Sequence, residues 1–134
     1  MIEAGSERGM RMSKILVVDD DSDLVAAVQF HLERAGFTVK TACDRSEGMR
    51  LAREQSFDLL ILDVMMNEMD DGIVMAQELR REGLTVPILM MSGISRATGM
   101  TYDKDAEITP ATDFVEKPVK PETLIAKVKT LLDS

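Results

Sequence analysis

The strongest constraint in this chain is a repeated unit, in which a short aliphatic run stops at a polar residue and an amphipathic stretch follows. Ile15-Leu16-Val17-Val18 is the clearest case: four apolar residues, mostly β-branched, ended at once by Asp19, Asp20 and Asp21. A run this short and this apolar reads as a strand buried on both faces, leaving into a polar turn. Asp21 and Ser22 are helix-capping types, and Leu24, Val28 and Leu32 follow at helical spacing until Gly36 offers a stop.

The unit then recurs. Residues 37–42 predict a second strand, and residues 45–55 carry Met49 and Ala52 on one helical face. Residues 59–62 predict a third strand, ended by Asp63, and Gly72 opens a helix with Ile73, Ala76 and Leu79 on one side. Residues 86–91 predict a fourth strand. Phe114 and Val115 predict a brief fifth before Lys117-Pro118, and Pro121 starts a final helix with Leu124, Val128, Leu131 and Leu132 inward. Between them the pattern fails: residues 95–111 hold Gly99, Pro110 and many polar residues without an apolar stripe, which predicts a loop with at most a short helix.

Strands alternating with amphipathic helices imply a parallel α/β sheet covered on both faces, an open doubly wound architecture. In such sheets ligands sit beyond the carboxyl ends of the strands, where strand order reverses. The polar groups that follow the strands are Asp19 and Asp20, Asp63, Ser92 and Lys117, and they are expected to converge there. An aspartate after a strand is by itself an ordinary turn residue; the joint placement is what points to a site.

Crowded carboxylates need cations, since two unit charges about 4 Å apart repel by about 4 kcal/mol at an effective dielectric of about 20. Lys117 supplies one positive charge. A hard divalent ion with oxygen ligands supplies more, with Mg2+ the expected choice and Mn2+ an acceptable one. An acidic pocket with such an ion can receive a phosphoryl group, a carboxylate beside it is a competent nucleophile, and Ser92 and Lys117 can bind the phosphate oxygens.

Length and charge bound the alternatives. The 134 residues suit one domain, and a composition 45% apolar and 30% charged is that of a globular chain. A net charge of −8 with no basic cluster disfavours direct nucleic-acid binding. Residues 1–12 lack the apolar centre of a secretory signal and are expected to form a flexible N-terminal tail; no run reaches the roughly 18 apolar residues of a membrane span, so a cytoplasmic protein with no membrane insertion is expected. The single cysteine, Cys43, rules out an intrachain disulfide and is expected as a small buried filler.

Four stretches carry a resemblance: residues 14–21 (KILVVDDD), 58–66 (DLLILDVMM), 87–93 (PILMMSG) and 114–118 (FVEKP). Together, and in this order, they resemble the signature stretches of response-regulator receiver domains over residues 13–134. The resemblance implies a flavodoxin-like (CheY-like) five-stranded parallel sheet of order 2-1-3-4-5 with helices on both faces. It implies Asp63 as the phosphoacceptor, Asp19 and Asp20 as metal carboxylates with Asp20 the more direct ligand, and the Met65 carbonyl as a further ligand. Ser92 and Lys117 would bind the phosphoryl group. Ser92 and Phe114 would form the switch, the aromatic ring moving inward as the hydroxyl shifts toward the phosphate. The implied donor is a phosphohistidine on a sensor histidine kinase or phosphotransfer protein, and the implied output is a downstream protein partner. His31, mid-helix, is an ordinary edge-of-core or surface residue and not a donor histidine.

Three departures stand out. The loop after Asp63 is one residue longer than in most relatives and carries Glu68, Asp70 and Asp71, read as a solvated charge run. The segment from Ser92 to Lys117 is also longer, so the fourth family helix is expected to be irregular or short. This leaves the output face, and homodimerisation through it, open. Met65 and Ile94, two residues past Asp63 and Ser92, are apolar and cannot orient a water, which predicts a slowly hydrolysed phosphate; a domain that accepts the group on its own aspartate is expected to turn over no external substrate. Two other readings compete. A non-phosphorylated pseudo-receiver scaffold would keep the fold alone. An aspartate-nucleophile phosphatase needs a second aspartate two residues after its nucleophile; Asp19 has Asp21 there, but Asp63 has Met65, and no cap domain is expected. No glycine-rich phosphate loop follows any strand.

Overall fold

The computed structural model describes residues 13–66, 71–93 and 111–133. In chain order the elements are β1 (Lys14–Val18), α1 (Ser22–Arg34), β2 (Thr38–Ala42), α2 (Arg45–Glu54), β3 (Leu59–Asp63), α3 (Asp71–Arg81), β4 (Ile88–Ser92), β5 (Asp113–Glu116) and α4 (Pro121–Asp133). The five strands form one parallel sheet in the order β2-β1-β3-β4-β5, as the resemblance implied. The expected tail and the region expected to lack a regular fourth helix lie outside the described residues, apart from Ala111. No helix among the described residues is long and apolar enough to cross a membrane.

Alternation along the strands sorts the core into two layers. Ile15, Val17, Leu59, Ile61, Leu89, Met91 and Val115 face α1 and α4, where Val28, Leu32, Leu124 and Val128 meet them. Leu16, Val18, Leu60, Leu62, Ile88 and Met90 face α2 and α3, against Met49, Met75, Ala76 and Leu79. The central strands β3 and β4 are buried along their whole length, which is why they read as unbroken apolar runs.

Local chemistry sets the ends of the elements. Asp21 caps α1 by accepting from the Asp23 and Leu24 amides at 3.1 and 3.2 Å, and Ser22 becomes the first helical residue. At the other end Gly36, at φ 102°, allows the Gly36 amide to donate to the Glu33 carbonyl and the Phe37 amide to the Leu32 carbonyl. Phe37 is thereby committed to closing the helix, and β2 begins one residue later than its apolar pattern suggests. Similarly β4 begins at Ile88 and not at Val86, because the Val86 carbonyl accepts a 2.7 Å bond from Arg80 Nη1 and Pro87 has no amide to give.

The expectation of a buried Cys43 is overturned: its side chain is exposed. It sits just past the end of β2, an edge strand, and its amide donates to Glu47 Oε1, so no second strand or helix covers the thiol. His31 is half-buried at the edge of the core with its ring edge-on to Phe30, as expected.

Candidate functional site

Register brings the predicted residues together. Val18 pairs with Leu62, so Asp19 and Asp63, one residue further along, stand side by side at the carboxyl ends of β1 and β3. Asp63 pairs with Met91 and Ser92 with Glu116, which brings Ser92 and Lys117 to the same edge. The Lys117–Pro118 peptide bond is cis. The strand order reverses between β1 and β3, the position where doubly wound sheets open a crevice.

The geometry is that of a buried, acid-rich pocket. Lys117 Nζ lies 3.1 Å from Asp19 Oδ2 and 3.1 Å from Asp63 Oδ1. Asp19 is fully buried, Asp63 nearly so, and Asp20 is exposed at the rim. One carboxylate oxygen from each of Asp19, Asp20 and Asp63 lies within 4.8 Å of the others. A cavity of about 170 Å³ adjoins them, lined by Asp63, Val64, Met65, Ser92, Gly93 and Lys117. Phe114 does not line this cavity. It is half-buried on the α2/α3 face of the sheet, paired in register with Met90, and borders a separate hollow beside α4.

The charges do not balance within the pocket. Burial pushes the Asp63 carboxyl up to about 6, with the neighbouring Asp19 charge adding to the rise and Lys117 opposing it. Asp20 is also raised, by burial and by its contacts with Asp19. Burial pulls the Lys117 ammonium down, but Asp19 and Asp63 outweigh it and hold it above its ordinary value. Asp19 Oδ1 accepts from the Asp21 amide at 3.0 Å. Its Oδ2 and the Ser92 hydroxyl are buried yet make no hydrogen bond among the described residues, so Lys117 serves Asp19 Oδ2 as a charge without an aligned bond. Three carboxylates facing one ammonium, all hard oxygen donors with acceptor capacity left over, fit a divalent cation of the magnesium type.

Two functional neighbours escape a reading from sequence. Gly72, read there as a helix opener, presses on the backbone of Asp63. A Cβ added to it would lie 1.9 Å from the Asp63 carbonyl oxygen, and its amide donates to the Val64 carbonyl at 2.9 Å. Asp71, read as part of a solvated charge run, is instead buried, with Arg45 Nε 3.5 Å from its Oδ1. The fixed start of α3 against β3 draws Asp71 inward. Glu68 and Asp70 lie outside the described residues, as does Ile94.

The comparisons with known proteins bear on the family and the fold. Residues 15–129 match the response regulator receiver domain family. The chain is 39% identical over 120 residues to the alkaline phosphatase synthesis transcriptional regulatory protein PhoP of Bacillus subtilis, a match covering 89% of this chain and 48% of that protein. It is 35% identical over 126 residues to the transcriptional regulatory protein PrrA of Mycobacterium tuberculosis, covering 94% and 52% respectively. The chain therefore spans about half the length of these curated relatives. Among solved structures, a response regulator receiver domain protein from Clostridium thermocellum superposes with a TM-score of 0.79 at 26% identity, covering 91% of this chain and 95% of that one. The chemotaxis response regulator CheY4 of Vibrio cholerae gives 0.77 at 30% identity, covering 90% and 98%. With the fold, strand order and match in agreement, this chain belongs to the response-regulator receiver domain family.

Proposed function

We propose that the chain is a phosphorylation switch that accepts a phosphoryl group on Asp63 from a phosphohistidine of a sensor histidine kinase or phosphotransfer protein. The observation that carries this reading is the Lys117 ammonium held 3.1 Å from both Asp19 and Asp63 beside a cavity lined by Ser92. An Asp63 carboxylate oxygen attacks phosphorus; the O–P bond forms as the donor's N–P bond breaks, and the imidazole leaves with the electron pair. Lys117 and Ser92 receive the phosphoryl oxygens, one by charge and one through a hydroxyl that has no partner beforehand among the described residues. Asp19, Asp20, Asp63 and the Met65 carbonyl would hold Mg2+, or Mn2+ in its place. The bound ion would neutralise charge on the transferring group.

The readout follows from the same hydroxyl. Drawing Ser92 toward the phosphate frees space on the β4–β5 side, and Phe114, half-buried and adjacent in the sheet, moves inward, shifting the population between two packings. The switched surface acts on a downstream protein partner in the cytoplasm, a second copy of the chain included. The net charge of −8 argues against this domain binding phosphate backbones itself. The domain turns over no external substrate.

The test is incubation with a small acyl phosphate and Mg2+, read by intact mass and peptide mapping. One phosphoryl group on Asp63 is expected, and its loss should be slow because the apolar Met65 beside it cannot orient a water. No labelling would favour a scaffold without phosphorylation, and multiple turnovers would favour a phosphatase. Decay within seconds would refute the slow-hydrolysis expectation alone.

A further inference from the structure

We infer that Arg45 is a positioning residue for Asp63, acting through Asp71 and Gly72; the inference rests on Asp63 being the phosphoacceptor. The chain of contacts begins on α2. Asp44 caps that helix by accepting from the Glu47 amide at 2.8 Å, and Glu47 Oε1 accepts in turn from the Cys43 amide at 3.2 Å, so the first turn is fixed at both ends. Arg45 is the first helical residue of that turn, and its Nε lies 3.5 Å from Asp71 Oδ1.

Asp71 is the first residue of α3 and is 6% exposed, so its charge depends on a nearby cation far more than a surface carboxylate does. The next residue, Gly72, leaves no slack toward β3. An added Cβ would overlap the Asp63 carbonyl oxygen and come within 2.8 Å of its carbonyl carbon. A shift of Asp71 thus becomes a shift of Gly72, and Gly72 shares a backbone contact with the nucleophile. The Arg45 side chain is 41% exposed, so truncating it removes a charge and little packing.

The molecule supplies its own control. Arg53 on α2 and Glu82, the residue just past α3, are also joined, by bonds of 3.1 and 2.6 Å, but at the far ends of the helices, away from the pocket. If Arg45 acted only by holding the helices together, Arg53 would matter equally.

The experiment measures the rate of Asp63 labelling by a small acyl phosphate with Mg2+ across donor concentrations, with melting curves alongside. For Arg45→Ala and Asp71→Asn the rate at saturating donor is expected to fall about tenfold, as a sub-ångström misplacement of a reacting group would produce. The donor concentration at half-saturation should stay unchanged. Arg45→Lys should recover most of the rate, the double variant should be no slower than either single one, and Arg53→Ala should match the wild type. Labelling of Arg45→Ala at the wild-type rate, or an equal loss in Arg53→Ala, overturns the positioning role. A wild-type chain that takes no label overturns the phosphoacceptor reading and this role with it.

Discussion

The two ends of the sheet each hold a half-buried cation, and the two are satisfied in opposite ways. At the amino ends of β4 and β5, Arg80 Nη1 donates to the Leu84 and Val86 carbonyls at 3.0 and 2.7 Å, and Nη2 reaches Thr112 Oγ1 at 3.4 Å. Thr112 passes the connection on, accepting from the Ile88 amide at 3.0 Å. These acceptors among the described residues are neutral, and burial lowers the pKa of the guanidinium. At the carboxyl ends Lys117 faces two carboxylates, and buried acceptor capacity is left over. One end is closed and holds strands together; the other keeps unsatisfied valence at a cost in stability, as sites built to bind something do.

Substitutions should separate the two ends. The largest effect is expected from Asp63→Asn, which should abolish labelling by an acyl phosphate while raising the metal-free melting temperature by a few degrees, since it removes a carboxylate that burial disfavours. Loss of label accompanied by destabilisation would contradict the picture of a strained carboxyl end. Next comes Gly72→Ala. The added Cβ meets the backbone of Asp63, which cannot rotate away, so we expect a cost of about 3 kcal/mol in denaturant unfolding together with slowed labelling.

Arg80→Ala should show the reverse of Asp63→Asn. Losing charge-assisted bonds to two carbonyls is expected to destabilise by about 2 kcal/mol in the same unfolding assay and leave the labelling rate unchanged. A fall in labelling would mean that the ends are coupled. The smallest effect is a pH dependence. Asp63 ionises near 6 in the folded chain against 3.8 ordinarily, so between those values the folded state keeps a proton that the unfolded state has lost. Its contribution is fully present below the ordinary value and is lost as pH rises through about 6. Thermal melts without metal should therefore show falling stability across this window, with a shallower fall in Asp63→Asn, where only the raised Asp20 contributes, and millimolar Mg2+ at neutral pH should restore it.

Legibility in the sequence followed the scale of the physics involved. Strands β1, β3 and β4 were readable because burial on both faces demands unbroken apolar runs, and the site was readable because each run ends in a polar residue. What escaped depends on register and close approach. Gly72 looks like any helix-opening glycine until the Asp63 carbonyl is found against it. Asp71 sits in a run of acids, and only the fixed start of α3 makes it buried. Cys43 looked like core filler because its position past an edge strand is a fact of strand order, which hydropathy does not carry. The start of β4 is hidden from hydropathy because Arg80, six residues before Val86, claims its carbonyl.

The ladder does not stop where the strands do. The Asp19 amide donates to the Ala42 carbonyl, the Val64 amide to Met91 and the Lys117 amide to Ser92, at 3.2, 3.0 and 3.0 Å. These bonds carry the sheet's own repeat, about 4.8 Å from strand to strand, out to the residues that bear the charges. The pocket is thus graduated by a ruler, and its jaws are set at a spacing that loops can decorate but not stretch. A ligand must match that gauge, and evolution can alter who delivers it or who reads it while the gauge stays the same.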